Sequence, residues 1–216
     1  MSRLDAAVIV VGAGPAGLML ANELGRRDVA TLVLEAAPST SIHPRANATQ
    51  ARTMEYFRRL GIADRIRAQG LPPDYPTDVA YFTRYTRHEL ARFQLPSSAE
   101  ARSLAKRLTG SWSAAELPHR CSQLFIERVM REAAEALPAV RLAFGWRVTG
   151  FSETQDSIAV DAERIADGER RRFSAAFLVG CDGPRSTIRR QLGIRYAGEG
   201  GVVRDFMGGR MHAIYL

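Results

Sequence analysis

Cysteine is nearly absent from this chain: Cys121 and Cys181 are the only two in 216 residues, and no paired metal-ligand spacing accompanies them. A disulfide framework and a zinc site are excluded as organising devices, and a reducing, cytoplasmic compartment is the expectation. Lysine is scarcer still, with Lys106 alone among 30 lysines and arginines. The net charge of +7 therefore comes from scattered arginines. Without a reading motif they make a basic surface that attracts anionic small molecules, and no nucleic-acid partner is expected. Long apolar runs are missing too, which excludes a membrane span, and the apolar N-terminus is followed by no cleavage pattern. Histidines are few, and His43, His88, His119 and His212 share no nucleophile-base-acid spacing, so no catalytic residue is named. Hydrophobic residues make up 46% of the chain, enough for one large domain or one domain and part of another.

The chain does hold a glycine-punctuated segment near its start. The apolar run Val8-Ile-Val-Val11 breaks into Gly12-Ala13-Gly14-Pro15-Ala16-Gly17, and a second apolar run, Thr31-Leu-Val-Leu34, ends in Glu35-Ala36. A buried strand, a turn tight enough to need Gly12, a backbone approach at Gly14 and close helix packing at Gly17 are the requirements of a dinucleotide pyrophosphate site. A helix from about Ala16 to Arg26 would point its amide groups and positive dipole end at the phosphates. The Glu35 carboxylate suits two ribose hydroxyls and repels a ribose phosphate, so this site favours FAD or NAD over NADP. The helix-to-strand turn places Asp28 where glycine would be easier, and aspartate tolerates the left-handed conformation moderately well.

Further along, residues 46–60 show helical periodicity ending at Gly61, and proline-rich 70–118 contains a two-stranded excursion around Val79 and Glu89. Ser122 is expected to cap a helix whose buried stripe is Leu124, Phe125, Val129, Met130, Ala133 and Leu137, ended by Pro138. Three strands should follow, over 140–151, 157–165 and 172–179, and another strand should begin near Asp205.

The third of those strands ends in Gly180-Cys181-Asp182-Gly183-Pro-Arg-Ser186-Thr-Ile-Arg189. With the N-terminal fingerprint, this Asp-Gly-x-x-Ser-x-x-Arg segment resembles the second motif of the FAD-dependent aromatic hydroxylases, single-component flavoprotein monooxygenases of the para-hydroxybenzoate hydroxylase type. The resemblance implies a Rossmann-like FAD-binding domain of three-layer ββα architecture, in the α/β class, with part of a mainly β substrate domain. It implies a first FAD segment over 1–70, an excursion into the substrate domain over 71–118, a second FAD segment over 119–200, and the start of a substrate-domain sheet over 201–216. Asp182 and Gly183 would contact the flavin's ribityl and pyrophosphate region, and an Asp-Gly turn that merely opens a helix is the alternative.

The family also implies Arg45 near the flavin, Gln123 on the flavin chain and Val148 against the adenine. A surface arginine, a helix-capping glutamine and a core valine are the corresponding plain readings. The implied activity uses FAD, with NADH or NADPH as co-substrate, to hydroxylate a small aromatic, phenolic substrate with O2 through a flavin C4a-hydroperoxide. A halogenase or reductase of the same fold and a non-catalytic FAD-binding remnant are the competing readings; the halogenase stretch Trp-x-Trp-x-Ile-Pro is absent. No Gly-Asp third motif follows Arg189, so an N-terminal part of a longer protein is expected.

Overall fold

The computed structural model describes residues 4–43, 45–84, 86–107, 109 and 114–198. The strand expected near Asp205 and the 201–216 segment lie outside the described residues. In chain order the elements are β1 (Ala6–Val11), α1 (Pro15–Gly25), β2 (Thr31–Glu35), β3 (Ala48–Thr49), α2 (Ala51–Arg59), α3 (Ala63–Arg67), β4 (Val79–Phe82), β5 (Glu89–Phe93), α4 (Ser98–Ala105), β6 (His119–Arg120), α5 (Gln123–Glu135), β7 (Val140–Phe144), β8 (Trp146–Glu153), β9 (Ile158–Arg164), β10 (Arg170–Gly180) and α6 (Thr187–Gln191). They divide into two compact units, one made of the described residues up to Ser39 and from Pro138 onward, the other of Thr40–Leu137.

The first unit is built on a six-stranded sheet in the order β7-β2-β1-β10-β9-β8. The four strands β7, β2, β1 and β10 run parallel, and β9 and β8 continue antiparallel. The long strand β10 serves both parts, pairing through Arg170–Ala175 with β9 and through Ala175–Gly180 with β1. One core cluster joins Ile9, Val11, Leu32 and Leu34 of the parallel strands to Val148, Val160, Ala162 and Phe173 of the antiparallel ones. Trp146 meets Phe173 edge to face at 5.4 Å. Because side chains alternate along a strand, Val8, Val10 and Val33 serve the opposite face, where α1 packs with Leu18 and Ala21 fully buried. Each such valine or leucine side chain contributes about 1.5–3 kcal/mol on leaving water. The result is the three-layer ββα architecture in the α/β class that the sequence implies. Asp28 takes the left-handed conformation at φ 55°, closing the turn between α1 and β2.

The strand expected over 140–151 is two strands. Gly145, at φ +79°, breaks it between β7, which pairs with β2, and β8, which pairs with β9. Its N–H donates to the Ala37 carbonyl and its own carbonyl accepts from Ile165. A turn serving two partners at once leaves no local periodic signature.

In the second unit the helix expected over 46–60 begins only at Ala51. The preceding residues are drawn into a short antiparallel pairing of β3 with β6, flanked by bonds from Cys121 N–H to Asn47 O and from Gln123 N–H to Ala46 O. Tertiary hydrogen bonding has overridden helical propensity there. The buried face of α5 is also rotated from the predicted stripe, to Ile126, Glu127, Val129, Met130 and Ala134. Ser122 occupies the N-cap position, yet its hydroxyl makes no capping bond. β4 and β5 form the expected two-stranded excursion. α4 lies within proline-rich 70–118, where no helix was expected, and its capping box of Ser97 and Glu100 is the signal that marks it.

Candidate functional site

At one edge of the parallel sheet the C-terminal ends of β2, β1 and β10 lie side by side, tied by Gly12 N–H to Leu34 O and Cys181 N–H to Val11 O. The crevice outside such strand ends is where open α/β sheets receive ligands. Gly12 stands at φ +103°, and a Cβ there would lie 2.4 Å from the Cys181 carbonyl oxygen. At Gly17 a Cβ would fall 1.9 Å from the Gly12 carbonyl, so α1 packs directly over the turn. Gly14 is different: nothing lies within 4 Å of the position a Cβ would take. Gly14 caps α1, Pro15 opens its first turn, and no side chain caps this end. Pro15 and Ala16 are exposed, and the helix's leading amides are left for an anion.

Glu35 ends β2 beside this turn. One carboxylate oxygen accepts from Ala13 N–H and the other from Ala37 N–H, each at 2.7 Å. Those bonds fix the carboxylate across Ala36 and use half of its lone-pair capacity, leaving acceptors for a pair of hydroxyls.

Asp182 lies on the β10 side of the same edge. Its Oδ2 accepts from Thr187 N–H at 2.6 Å and Ile188 N–H at 3.3 Å, so it caps α6. Its Oδ1 is buried without a hydrogen-bond partner among the described residues. One oxygen thus does the work of a helix-opening turn while the other remains for a donor from outside the protein. Gly183 takes φ +77°, and Ser186 accepts from Arg189 N–H at 2.9 Å. The Arg189 guanidinium donates to Ile194 O at 2.7 Å and lies 4.3 Å over the Tyr196 ring. The fixed positions of the second motif therefore build and fasten α6. Cys181 is half-buried beside them, and burial first, then the neighbouring Asp182 charge, raises its thiol pKa, which keeps it inert.

Val148 sends its side chain into the core cluster, and its strand β8 is at the sheet's end with a register shift between Val148 and Gly150. In the second unit, Arg45 is exposed immediately before the segment that pairs with β6, and Gln123 opens α5. Gln123 N–H bonds the carbonyl of Ala46, the residue after Arg45, at 2.8 Å. Glu127 was missed by the sequence reading. It is 3% exposed, accepts from Gln123 Nε2 at 2.6 Å and from Ser41 N–H at 3.1 Å. The four-residue spacing of Gln123 and Glu127 on one helix was the available signal.

The same unit contains a cavity of about 400 Å³ lined mainly by apolar groups, among them Leu95, Pro96, Ala101, Leu104 and Leu117. His119 also lines it. Burial, reinforced by the Arg67 and Arg102 charges, pushes the His119 pKa down to about 4.

Compared with known proteins, this chain matches the sequence model of the family described as FAD binding domain over residues 5–211. The chain belongs to that family. Among this FAD-binding chain's relatives is the FAD-dependent monooxygenase apdD of Emericella nidulans, 32% identical over 200 residues, which cover 92% of the chain and 32% of that protein. The 3-(3-hydroxy-phenyl)propionate/3-hydroxycinnamic acid hydroxylase of Paraburkholderia xenovorans is 31% identical over 196 residues, covering 91% of the chain and 29% of that protein. The chain spans about a third of the length of these curated relatives. A solved ternary complex of aklavinone-11 hydroxylase with FAD and aklavinone superposes with a TM-score of 0.76 at 28% identity, covering 89% of this chain and 36% of that one. Among the described residues, no helix of the FAD-binding chain is long and apolar enough to cross a membrane.

Proposed function

We propose that this chain forms the FAD-holding part of a flavin-dependent monooxygenase that hydroxylates an aromatic, phenolic substrate using NAD(P)H and O2. The observation that carries the reading is the juxtaposition, at one sheet edge, of an uncapped helix end open at Gly14 with two carboxylates, Glu35 and Asp182, that keep acceptor capacity in reserve. The residues fit a flavin dinucleotide. The amides of the Gly12–Gly17 segment would take the pyrophosphate, and the remaining lone pairs of Glu35 the adenosine ribose hydroxyls. The partnerless Oδ1 of Asp182 would accept from the flavin side chain, with Gly183 allowing close approach.

Family resemblance assigns Arg45 to a place near the flavin and Gln123 to the flavin chain, and it gives the backbone at Val148 to the adenine. Bound FAD would supply the redox chemistry, receiving electrons from a nicotinamide and activating oxygen. The protein's own part is to bind, orient and exclude water. The apolar cavity of about 400 Å³ has a size and lining suited to an aromatic ring system. The relatives support the reading through their names, one of which specifies a hydroxyphenyl acid.

Titration of this chain with FAD, followed by flavin fluorescence, tests the cofactor assignment, and phenol-stimulated NAD(P)H oxidation by the longer monooxygenase of which it is the FAD-holding part tests the reaction. Saturable quenching together with stimulated oxidation is the expected result. A folded chain that leaves FAD fluorescence unchanged overturns the reading, and binding without oxidation identifies a non-catalytic flavin module.

A further inference from the structure

Glu127 is a carboxylate on the inward face of α5, and it is 3% exposed. Burying such a group is costly unless its oxygens are satisfied. Both partners among the described residues are uncharged donors, one from the Gln123 side chain and one from the Ser41 backbone. Ser41 is itself stapled to His43, its hydroxyl donating to His43 O at 2.9 Å and accepting from His43 N–H at 3.2 Å. Arg45 follows two residues later, and beyond it Ala46 O and Asn47 O accept from the backbones of Gln123 and Cys121. The segment carrying Arg45 is thus held on both sides by residues at the start of α5.

We propose that Glu127 is a positioning residue for flavin binding, setting the polarity of the Gln123 amide and clasping the Arg45 segment. The proposal rests on the flavin reading above. An ionised carboxylate only accepts, so Gln123 must turn its NH2 toward Glu127. The Gln123 carbonyl oxygen is then left as the group available to a hydroxyl of a ligand. An alternative amide orientation would set two oxygens against each other at 2.6 Å. The Ser41 bond uses the other carboxylate oxygen, so one buried side chain fixes two functional groups at once.

The test uses FAD titration of the wild-type chain, Glu127→Gln, Gln123→Ala, the double variant, and Glu135→Gln as an exposed control on the same helix. In Glu127→Gln the new amide still offers an oxygen to Ser41 but no longer dictates the Gln123 orientation. FAD binding is expected to weaken about tenfold, the size of one hydrogen bond to the ligand forfeited by a misoriented amide. Glu135→Gln should bind as wild type. If Glu127 acts through Gln123, the double variant binds no more weakly than Gln123→Ala alone, a non-additivity that general loosening of the helix would not produce. Wild-type affinity in Glu127→Gln, or a full additional loss in the double variant, overturns the positioning role while leaving the flavin reading intact. Absence of FAD binding by the folded wild-type chain overturns both.

Discussion

Gly14 and Gly17 are three residues apart and differ in what surrounds them. A methyl group at Gly17 would press on the Gly12 carbonyl at 1.9 Å, whereas at Gly14 it would meet no protein atom within 4 Å. Gly17→Ala is therefore expected to destabilise the fold by about 1–3 kcal/mol, the usual cost of overpacking without a flexible neighbour to yield. Gly14→Ala should leave stability within about 0.5 kcal/mol of wild type, as is usual for open positions. It should nevertheless weaken FAD binding by about tenfold or more, because the backbone can no longer approach the pyrophosphate. Urea unfolding and FAD titration of the two variants separate the effects. A Gly14→Ala chain that binds FAD normally would show that the phosphates lie elsewhere.

Within the element that follows β10, Asp182, Ser186 and Arg189 hold a helix of only five residues in place. So short a helix has little stability of its own, and its caps carry much of it. Asp182→Ala removes acceptors from Thr187 and Ile188 and should cost about 1–2 kcal/mol in chemical denaturation without any flavin present. If stability is unchanged, the capping role is refuted. This structural duty was legible only as an alternative, because Asp-Gly after a strand suits both a turn and a ligand contact. Within the first fingerprint, the tight turn at Gly12, with its positive φ, and the close packing of Gly17 on the Gly12 carbonyl were legible, since both are demands of the local strand-turn-helix pattern. Three features were not. Gly145 splits a strand because of partners at Ala37 and Ile165, β3 displaces the start of a helix because of backbone partners near Cys121, and Glu127 faces inward because Ser41 and Gln123 satisfy it. In every case the deciding hydrogen bond comes from elsewhere in the fold, and Glu127 was left out because an amphipathic pattern assigns glutamate to solvent.

At the scale of the whole molecule, the +7 charge is spread over arginines, many in exposed ion pairs such as Arg164 with Asp167 and Arg172 with Asp161. Pairs of this kind contribute about 0–1 kcal/mol each and are screened by salt. Acid sensitivity between neutral pH and about 4 should instead follow His119, buried with Nε2 lacking a partner among the described residues. Folding lowers its pKa from 6.5 to about 4, chiefly through burial and then through Arg67 and Arg102. Between those values the unfolded chain takes up a proton that the folded chain refuses, so stability rises with pH across this window. The contribution is fully present above about 6.5 and is lost as pH falls toward 4. Urea midpoints measured at intervals from pH 7 to pH 4 should fall progressively in the wild type. His119→Gln carries no titrating ring, so its midpoint, whatever its value at pH 7, should fall less steeply over the same interval. Parallel curves for the two proteins would show that some other group sets the acid limit.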